Sequence, residues 1–232
     1  MGLCCFSALE VCDVVLIESL VNRGLLGFLK HGSKLKYVGR PVCCSGNSFY
    51  GVLLNAMWFS AWGLVVVWIK NGDALVYNRG WSSSLFLNSF GLRYFVLPGV
   101  TCAMAALAVN RISASGKAVN DIVLSARSDW HKLVFGTSSA ILVVYMARLN
   151  AIATLDLLIC AGADSGKVVM LLYGVSSSLQ SVVYSSLNAC LFLVSDCVKA
   201  PCVVVLGESV SYHMCVNWTK VANDVANCAS KA

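Results

Sequence analysis

Ala161-Gly162-Ala163-Asp164-Ser165-Gly166 is a short turn-forming stretch between two long apolar runs, and the fold turns on how Leu133 to Val198 around it is read. Read as helices, the two runs make a hairpin in a lipid bilayer. The first arm carries Arg148, Asn150 and Asp156 within apolar sequence. The second carries Gly174-Val-Ser-Ser-Ser-Leu-Gln-Ser181 and continues to Ser185, Ser186 and Asn188. Polar groups are costly in hydrocarbon, so such residues face protein or water rather than lipid.

Composition supports that reading. Hydrophobic residues make up 58% of the 232 and charged residues 12%, about half the usual charged share of a soluble domain. Mean hydropathy is +0.76. The net charge of +6 is spread along connecting stretches, which favours anionic headgroups over nucleic acid as partners. The twelve cysteines form no zinc-ribbon spacing. Cys102, Cys160 and Cys190 fall in or beside apolar segments, where cysteine acts as a small hydrophobe. No metal, no cofactor and a reducing compartment are therefore expected. Glu10, Asp13 and Glu18 interrupt the N-terminal apolar residues, so no signal peptide is expected there.

Working outward, residues 1 to 30 suit an amphipathic helix, with those three acids on one arc and Val14, Val15, Leu16 and Leu20 around the rest. A basic linker follows, in which Lys30, Lys34, Lys36 and Arg40 are placed to contact lipid phosphates. Tyr50 to Ile69 is apolar and long enough for a span of about 30 Å. Tyr50, Trp58, Trp62 and Trp68 suit an interface belt, with Trp58 and Trp62 alternatively packed on neighbours. Asn71-Gly-Asp and Arg79-Gly-Trp read as turns. A second span covers roughly Phe90 to Val109, kinked at Pro98-Gly99, and Val119 to Ala126 forms a short amphipathic helix. Beyond Lys199 the sequence is mixed, with one surface helix over Val216 to Ala226.

The expected fold is thus all-α: a polytopic integral membrane protein of about four transmembrane helices with amphipathic flanking helices. Its regions are 1–49 (interfacial segment and basic linker), 50–198 (the four spans) and 199–232 (a cytosolic tail). Twelve Lys and Arg fall on the side of the termini and three on the other, which places both termini in the cytosol.

Within the hairpin, Arg148 and Asp156 lie about 12 Å apart along a helix and form no ready-made pair. They serve either as a structural anchor or as the lining of a conduction path. Ser177, Ser181 and Ser185, with Gly174 and Ser178 alongside, make a small-residue face that packs helices closely, or else a hydrophilic pore wall. The three histidines are scattered and no nucleophile motif is present, so no catalytic residues and no enzyme are expected.

Arg148-Leu-Asn150, Asp156 and Gly174-Val-Ser-Ser-Ser-Leu-Gln-Ser181 resemble the C-terminal region of the peroxin-eleven family. Asp13-Val-Val-Leu16, Gly24-Leu-Leu26 and Ser48-Phe-Tyr50 resemble its middle region. The resemblance implies a peroxisomal or glycosomal membrane protein that promotes membrane elongation and organelle division, acting as a homo-oligomer or with other membrane proteins. Ser230-Lys231-Ala232 departs from the peroxisomal Ser-Lys-Leu signal. Two other functions fit the same residues: a small channel or carrier, and a structural subunit of a larger membrane complex.

Overall fold

Val14-Val15-Leu16-Ile17 is a strand rather than part of a long amphipathic helix, and all four of its residues are buried. Four consecutive β-branched or large apolar residues can all be buried only where both faces of a sheet are covered. The computed structural model describes residues 2–39, 49–116, 119–126, 140–146, 151–177, 179–190 and 202–215. They divide into two units, Met1–Thr101 and Cys102–Ala232.

In the first unit, α1 (Leu3–Val11) leads into β1 (Val14–Ile17). A 3-10 helix (Arg23–Phe28) connects β1 to β2 (Lys34–Tyr37). Then come α2 (Phe49–Ala61), β3 (Val66–Ile69) and α3 (Gly80–Ser89). The three strands are parallel in the order β2-β1-β3, with Leu16 beside Lys36 and Trp68. Side chains alternate across the sheet. Val15 and Ile17 meet Leu25, Leu26 and Leu29 on one face, while Val14 and Leu16 meet Val52, Ala56 and Phe59 of α2 on the other.

Asp13 ties this sheet at its start. One carboxylate oxygen accepts the Val65 amide at 2.9 Å and the other accepts Lys30 Nζ at 3.0 Å. The Val65 amide first, and Lys30 second, hold the Asp13 carboxyl below the usual carboxylate range. A carboxyl so depressed adds stability that is present above its unfolded pKa and is lost as pH falls through its folded one. We expect Asp13→Asn to lower the urea midpoint near neutrality and to narrow the gap to the unaltered chain on acidification. A gap constant across the acid range would refute this role.

The run expected to span a membrane from Tyr50 to Ile69 is a helix followed by a strand. α2 has 13 residues, about 20 Å of helix against a hydrocarbon core of about 30 Å. Gly63 ends it at φ +73°, a conformation that costs residues with a Cβ far more. β-Branched Val65, Val66, Val67 and Ile69 then favour the extended chain. The second expected span starts just past the end of α3 and divides as well, into a stretch without regular structure and α4 (Cys102–Val109). No helix among the described residues is long and apolar enough to cross a membrane. The all-α membrane architecture, with its cytosolic termini, is thereby corrected to a mixed α/β fold.

The second unit contains β4 (Asp121–Ser125), β5 (Ala140–Val144), α5 (Ala151–Cys160), β6 (Val168–Tyr173), β7 (Ser181–Ser186), β8 (Cys202–Leu206) and α6 (Glu208–Cys215). Its sheet runs β4-β5-β8-β6-β7, parallel between β4 and β5 and antiparallel elsewhere. Leu142, Leu155, Leu158, Leu171, Val204 and Leu206 form its core. Burial pushes the Cys202 thiol up to about 12, so it packs as an apolar group. The supposed hairpin supplies β5, α5, β6 and β7, and the expected helix from Val119 to Ala126 is β4. Val216 to Ala226 lies outside the described residues.

Candidate functional site

Two pentapeptides in the first unit repeat one pattern with opposite charge: Val14-Val-Leu-Ile-Glu18 and Val66-Val-Trp-Ile-Lys70. The strands pair in register, Ile17 beside Ile69, so Glu18 and Lys70 emerge together at the carboxyl end of the sheet. That end is where ligands bind in open parallel sheets, at the point where successive connections leave to opposite faces. β1 is such a point, with the 3-10 helix on one face and α2 on the other.

A cavity of about 250 Å³ opens there. Glu18, Ser19 and Leu20 follow β1, Val38 and Gly39 follow β2, and Trp68 and Lys70 close β3. Phe49 and Val52 of α2 and Tyr77-Asn78-Arg79 complete the wall. A side chain at Gly39 would place its Cβ 2.1 Å from the Ser19 amide nitrogen, so the floor is backbone against backbone.

Lys70 Nζ lies 3.1 Å from Glu18 Oε1, donates to the Asn78 carbonyl at 3.1 Å and sits 3.7 Å from the centre of the Trp68 ring. Its side chain is 9% exposed and that of Glu18 is 24% exposed. Burial holds the Lys70 pKa below the usual lysine value, against the pull of Glu18, and Arg79 lowers it further.

Loop 71–79 is stapled from within. Asn78 Nδ2 donates to the Asn71 carbonyl at 2.8 Å, and the Asp73 carboxylate accepts the amides of Leu75 at 2.8 Å and Gly99 at 3.2 Å. Tyr77 and Arg79 hold φ of 52° and 54°, left-handed values that cost a residue with a Cβ and that cluster at functional sites. The Arg79 guanidinium lies 5.6 Å from the centre of the Phe49 ring and has no carboxylate partner among the described residues. Trp68 Nε1 is buried and likewise has no hydrogen-bond partner among them. The cavity thus offers the Arg79 guanidinium as a donor, aromatic walls and, among the described residues, Glu18 as its one carboxylate. Such a set suits an anionic arm on a larger ligand.

The residues singled out from sequence lie elsewhere. Asp156 is exposed on α5, and Arg148 and Asn150 lie outside the described residues. Gly174 and Ser177 sit in the β6–β7 loop, where Ser177 Oγ donates to the Gly174 carbonyl at 2.7 Å. Ser181 and Ser185 are on β7, opposite Tyr173 and Val169, and Ser178 is outside the described residues. Gly174, Ser177, Ser181 and Ser185 therefore share no helical face. Lys30 pairs with Asp13, Lys34 is exposed on β2, Lys36 donates to Asn55 Oδ1, and Arg40 lies outside the described residues. Sequence reasoning put Glu18 on the acidic arc of an amphipathic helix, read Arg79 as part of a turn and did not single out Lys70. The signal that finds them is the repeated apolar tetrapeptide ending in a charge.

A family model described as tetrapyrrole (corrin/porphyrin) methylases matches residues 6–189. A uroporphyrinogen-III C-methyltransferase of a Sinorhizobium species is 25% identical over 91% of this chain and 79% of its own length. Among solved structures, a uroporphyrin-III C-methyltransferase from Thermus thermophilus in complex with S-adenosyl homocysteine superposes with a TM-score of 0.75 at 20% identity, covering 91% of this chain and 93% of that one. A cobalt precorrin-4 methyltransferase gives 0.76 at 17%, covering 90% of each chain. At these identities the structures share the fold alone. The family match overturns the resemblance to the peroxin-eleven family, whose motifs were short and built from common residues. With it go the non-enzymatic membrane organiser in a peroxisomal or glycosomal membrane, and its alternatives, the channel or carrier and the membrane-complex subunit.

Proposed function

The chain belongs to the tetrapyrrole (corrin/porphyrin) methylase family, and from that premise we propose that it transfers a methyl group from S-adenosylmethionine to a ring carbon of uroporphyrinogen III. The observation that carries this reading is the cavity at the carboxyl ends of β1, β2 and β3, with Arg79 in its wall unpaired by any described carboxylate. The acceptor is a macrocycle bearing acetate and propionate arms. At about 250 Å³ the cavity is below the roughly 300–1,000 Å³ of a site that swallows a whole ligand. It therefore takes an arm, and the ring lies across its mouth.

S-adenosylmethionine supplies the methyl group as a sulfonium cation. Lys70 and Arg79 in the wall repel such a cation, and the volume is too small for it beside the acceptor. The residues of the cavity fit the acceptor's carboxylate instead. A pyrrole carbon that gains a methyl group must shed a proton from the ring to regain neutrality. Glu18, whose carboxylate lies 3.1 Å from Lys70 Nζ, is the group in the wall able to accept it.

Incubation of the full chain with uroporphyrinogen III and donor labelled in the methyl group tests the activity. We expect the label in the macrocycle and one S-adenosylhomocysteine per methyl transferred. Label that stays in the donor would overturn the reading. Arg79→Ala should raise KM for the acceptor about 10- to 100-fold through the lost charged hydrogen bond, with KM for the donor unchanged. Arg79→Lys should recover part of that, since lysine restores the charge but not the fork. An acceptor KM within about twofold of the unaltered chain would remove Arg79 from the site.

A further inference from the structure

A lysine ammonium carries three N–H donors, and that of Lys70 meets three groups of the protein. Glu18 Oε1 lies at 3.1 Å, the Asn78 carbonyl oxygen at 3.1 Å, and the centre of the Trp68 ring at 3.7 Å from Nζ. Its donors are thus engaged by the protein and not by the cavity. A buried cation so placed does not itself grip a ligand carboxylate. What it does is hold its partners in place, and one of them governs Arg79. The Asn78 carbonyl belongs to the peptide whose nitrogen is that of Arg79. That peptide is planar, so the bond from Lys70 fixes the plane from which Arg79 departs.

Arg79 leaves that plane at φ 54° and ψ 22°, a left-handed conformation that a residue with a Cβ avoids. Its own carbonyl is fixed from the other side, accepting the Ser83 amide at 3.0 Å and Ser83 Oγ at 3.0 Å. The peptides on both sides of one Cα are therefore pinned, and together they set the direction in which the Arg79 side chain leaves the backbone. A relaxed backbone would send it in a different direction from the one that puts its guanidinium 5.6 Å from the centre of the Phe49 ring. The loop itself does not depend on Lys70. Asn78 Nδ2 donates to the Asn71 carbonyl and the Asp73 carboxylate accepts the Leu75 amide, whichever way the peptide between Asn78 and Arg79 is turned. We propose that Lys70 is a positioning residue: by holding the Asn78 carbonyl it keeps Arg79 in the left-handed conformation that presents its guanidinium to an anionic arm in the cavity. This role rests on the reading of Arg79 as the partner of that arm. It adds that the aim of Arg79 is set by a group that does not touch the ligand.

Equilibrium binding of uroporphyrin III to the full chain, followed by porphyrin fluorescence with no methyl donor present, tests this apart from turnover. Uroporphyrin carries the same acetate and propionate arms as the acceptor. Lys70→Met keeps the length of the side chain and removes its donors. It should raise the dissociation constant about 10-fold, the equivalent of one hydrogen bond to a charged group. In the Arg79→Ala background the same substitution should change it less than about twofold, because a residue that acts through Arg79 has nothing left to act on. Lys70→Arg, which keeps the charge and N–H donors, should recover part of the loss. If Lys70→Met fails to fold, the comparison is made in the Glu18→Gln background, where no carboxylate is left without its cation. An equal loss with and without Arg79 would overturn the role, as would a Lys70→Met dissociation constant within about twofold of the unaltered chain. Absence of uroporphyrin binding by the unaltered chain would overturn it too, since Arg79 would then have no arm to hold. A chain that shows the coupling but transfers no methyl group would refute the methyltransferase reading and leave the role of Lys70 standing.

Discussion

Glu18→Gln should lower the turnover number of methyl transfer by roughly 10²- to 10⁴-fold, the usual contribution of a positioned general base, with KM for either substrate changed far less. The variant keeps an oxygen within reach of Lys70 Nζ, so the 3.1 Å contact persists as a neutral–charged hydrogen bond. Losing the ion pair at this partly buried site should cost about 2 kcal/mol of stability. Rates must therefore be compared well below the unfolding midpoint of both proteins. Glu18→Asp, which retains a carboxylate on a shorter arm, should recover part of the turnover while Glu18→Gln does not. Isotope-labelled donor and quantified macrocycle product supply the readout. Turnover of Glu18→Gln within about threefold of the unaltered chain would leave Glu18 as a mere partner of Lys70 and would sink its role in proton removal.

Much of the site was present in the sequence as chemistry but not as geometry. Asn71-Gly-Asp and Arg79-Gly-Trp were legible as turns, and the structure places the first in the loop after β3 and the second at the start of α3, with Arg79 in the cavity wall. What periodicity could not reveal was that Val14–Ile17 and Val66–Ile69 are neighbours. Strands covered on both faces lose the alternation of polar and apolar residues that marks a strand, and become short continuous apolar runs. Placed beside an apolar helix such as α2, such a run extends to the length of a membrane span. The break at Gly63 looks minor in sequence, because glycine is common in membrane helices. Its positive φ is visible only in three dimensions. Charge content misled in the same direction, since α2 and α3 are surface helices without a charged residue.

The hairpin around Ala161–Gly166 failed for a related reason. Its turn is real: Gly162 has φ +92°, and the Asp164 carboxylate accepts the Gly166 amide at 2.9 Å. The arm after it, however, holds two antiparallel strands, β6 and β7, joined by the serine-rich loop. Val168-Val169 and Val182-Val183 lie in those strands, where β-branched side chains pack well. A four-residue spacing of serines marks one face of a helix, but it also marks one face of a strand, because four is a multiple of two. Ser181 and Ser185 satisfy both periods, and the spacing alone cannot tell them apart.

Leu16 and Leu20 separate the two architectures by the largest margin in energy. On a helix they are one turn apart, on the same side, and Leu16→Glu and Leu20→Glu would have similar effects. In the structure Leu16 lies in the middle of the central strand and is fully buried, while Leu20 lies past the strand end and is 57% exposed. Leu16→Glu removes a buried leucine and puts a carboxylate among Val14, Val38 and Val52, beside a Lys36 whose Nζ is already held by Asn55. The lost burial and the desolvation of the new group together exceed about 5 kcal/mol, the range in which a single substitution consumes most of a domain's stability. We expect Leu16→Glu to abolish cooperative unfolding of the first unit, and Leu20→Glu to shift its stability by no more than about 0.5 kcal/mol. Urea titrations followed by tryptophan emission report mainly on that unit, since four of the six tryptophans, Trp58, Trp62, Trp68 and Trp81, lie within it. Similar midpoints for the two variants would contradict the strand and return residues 14–20 to a helix.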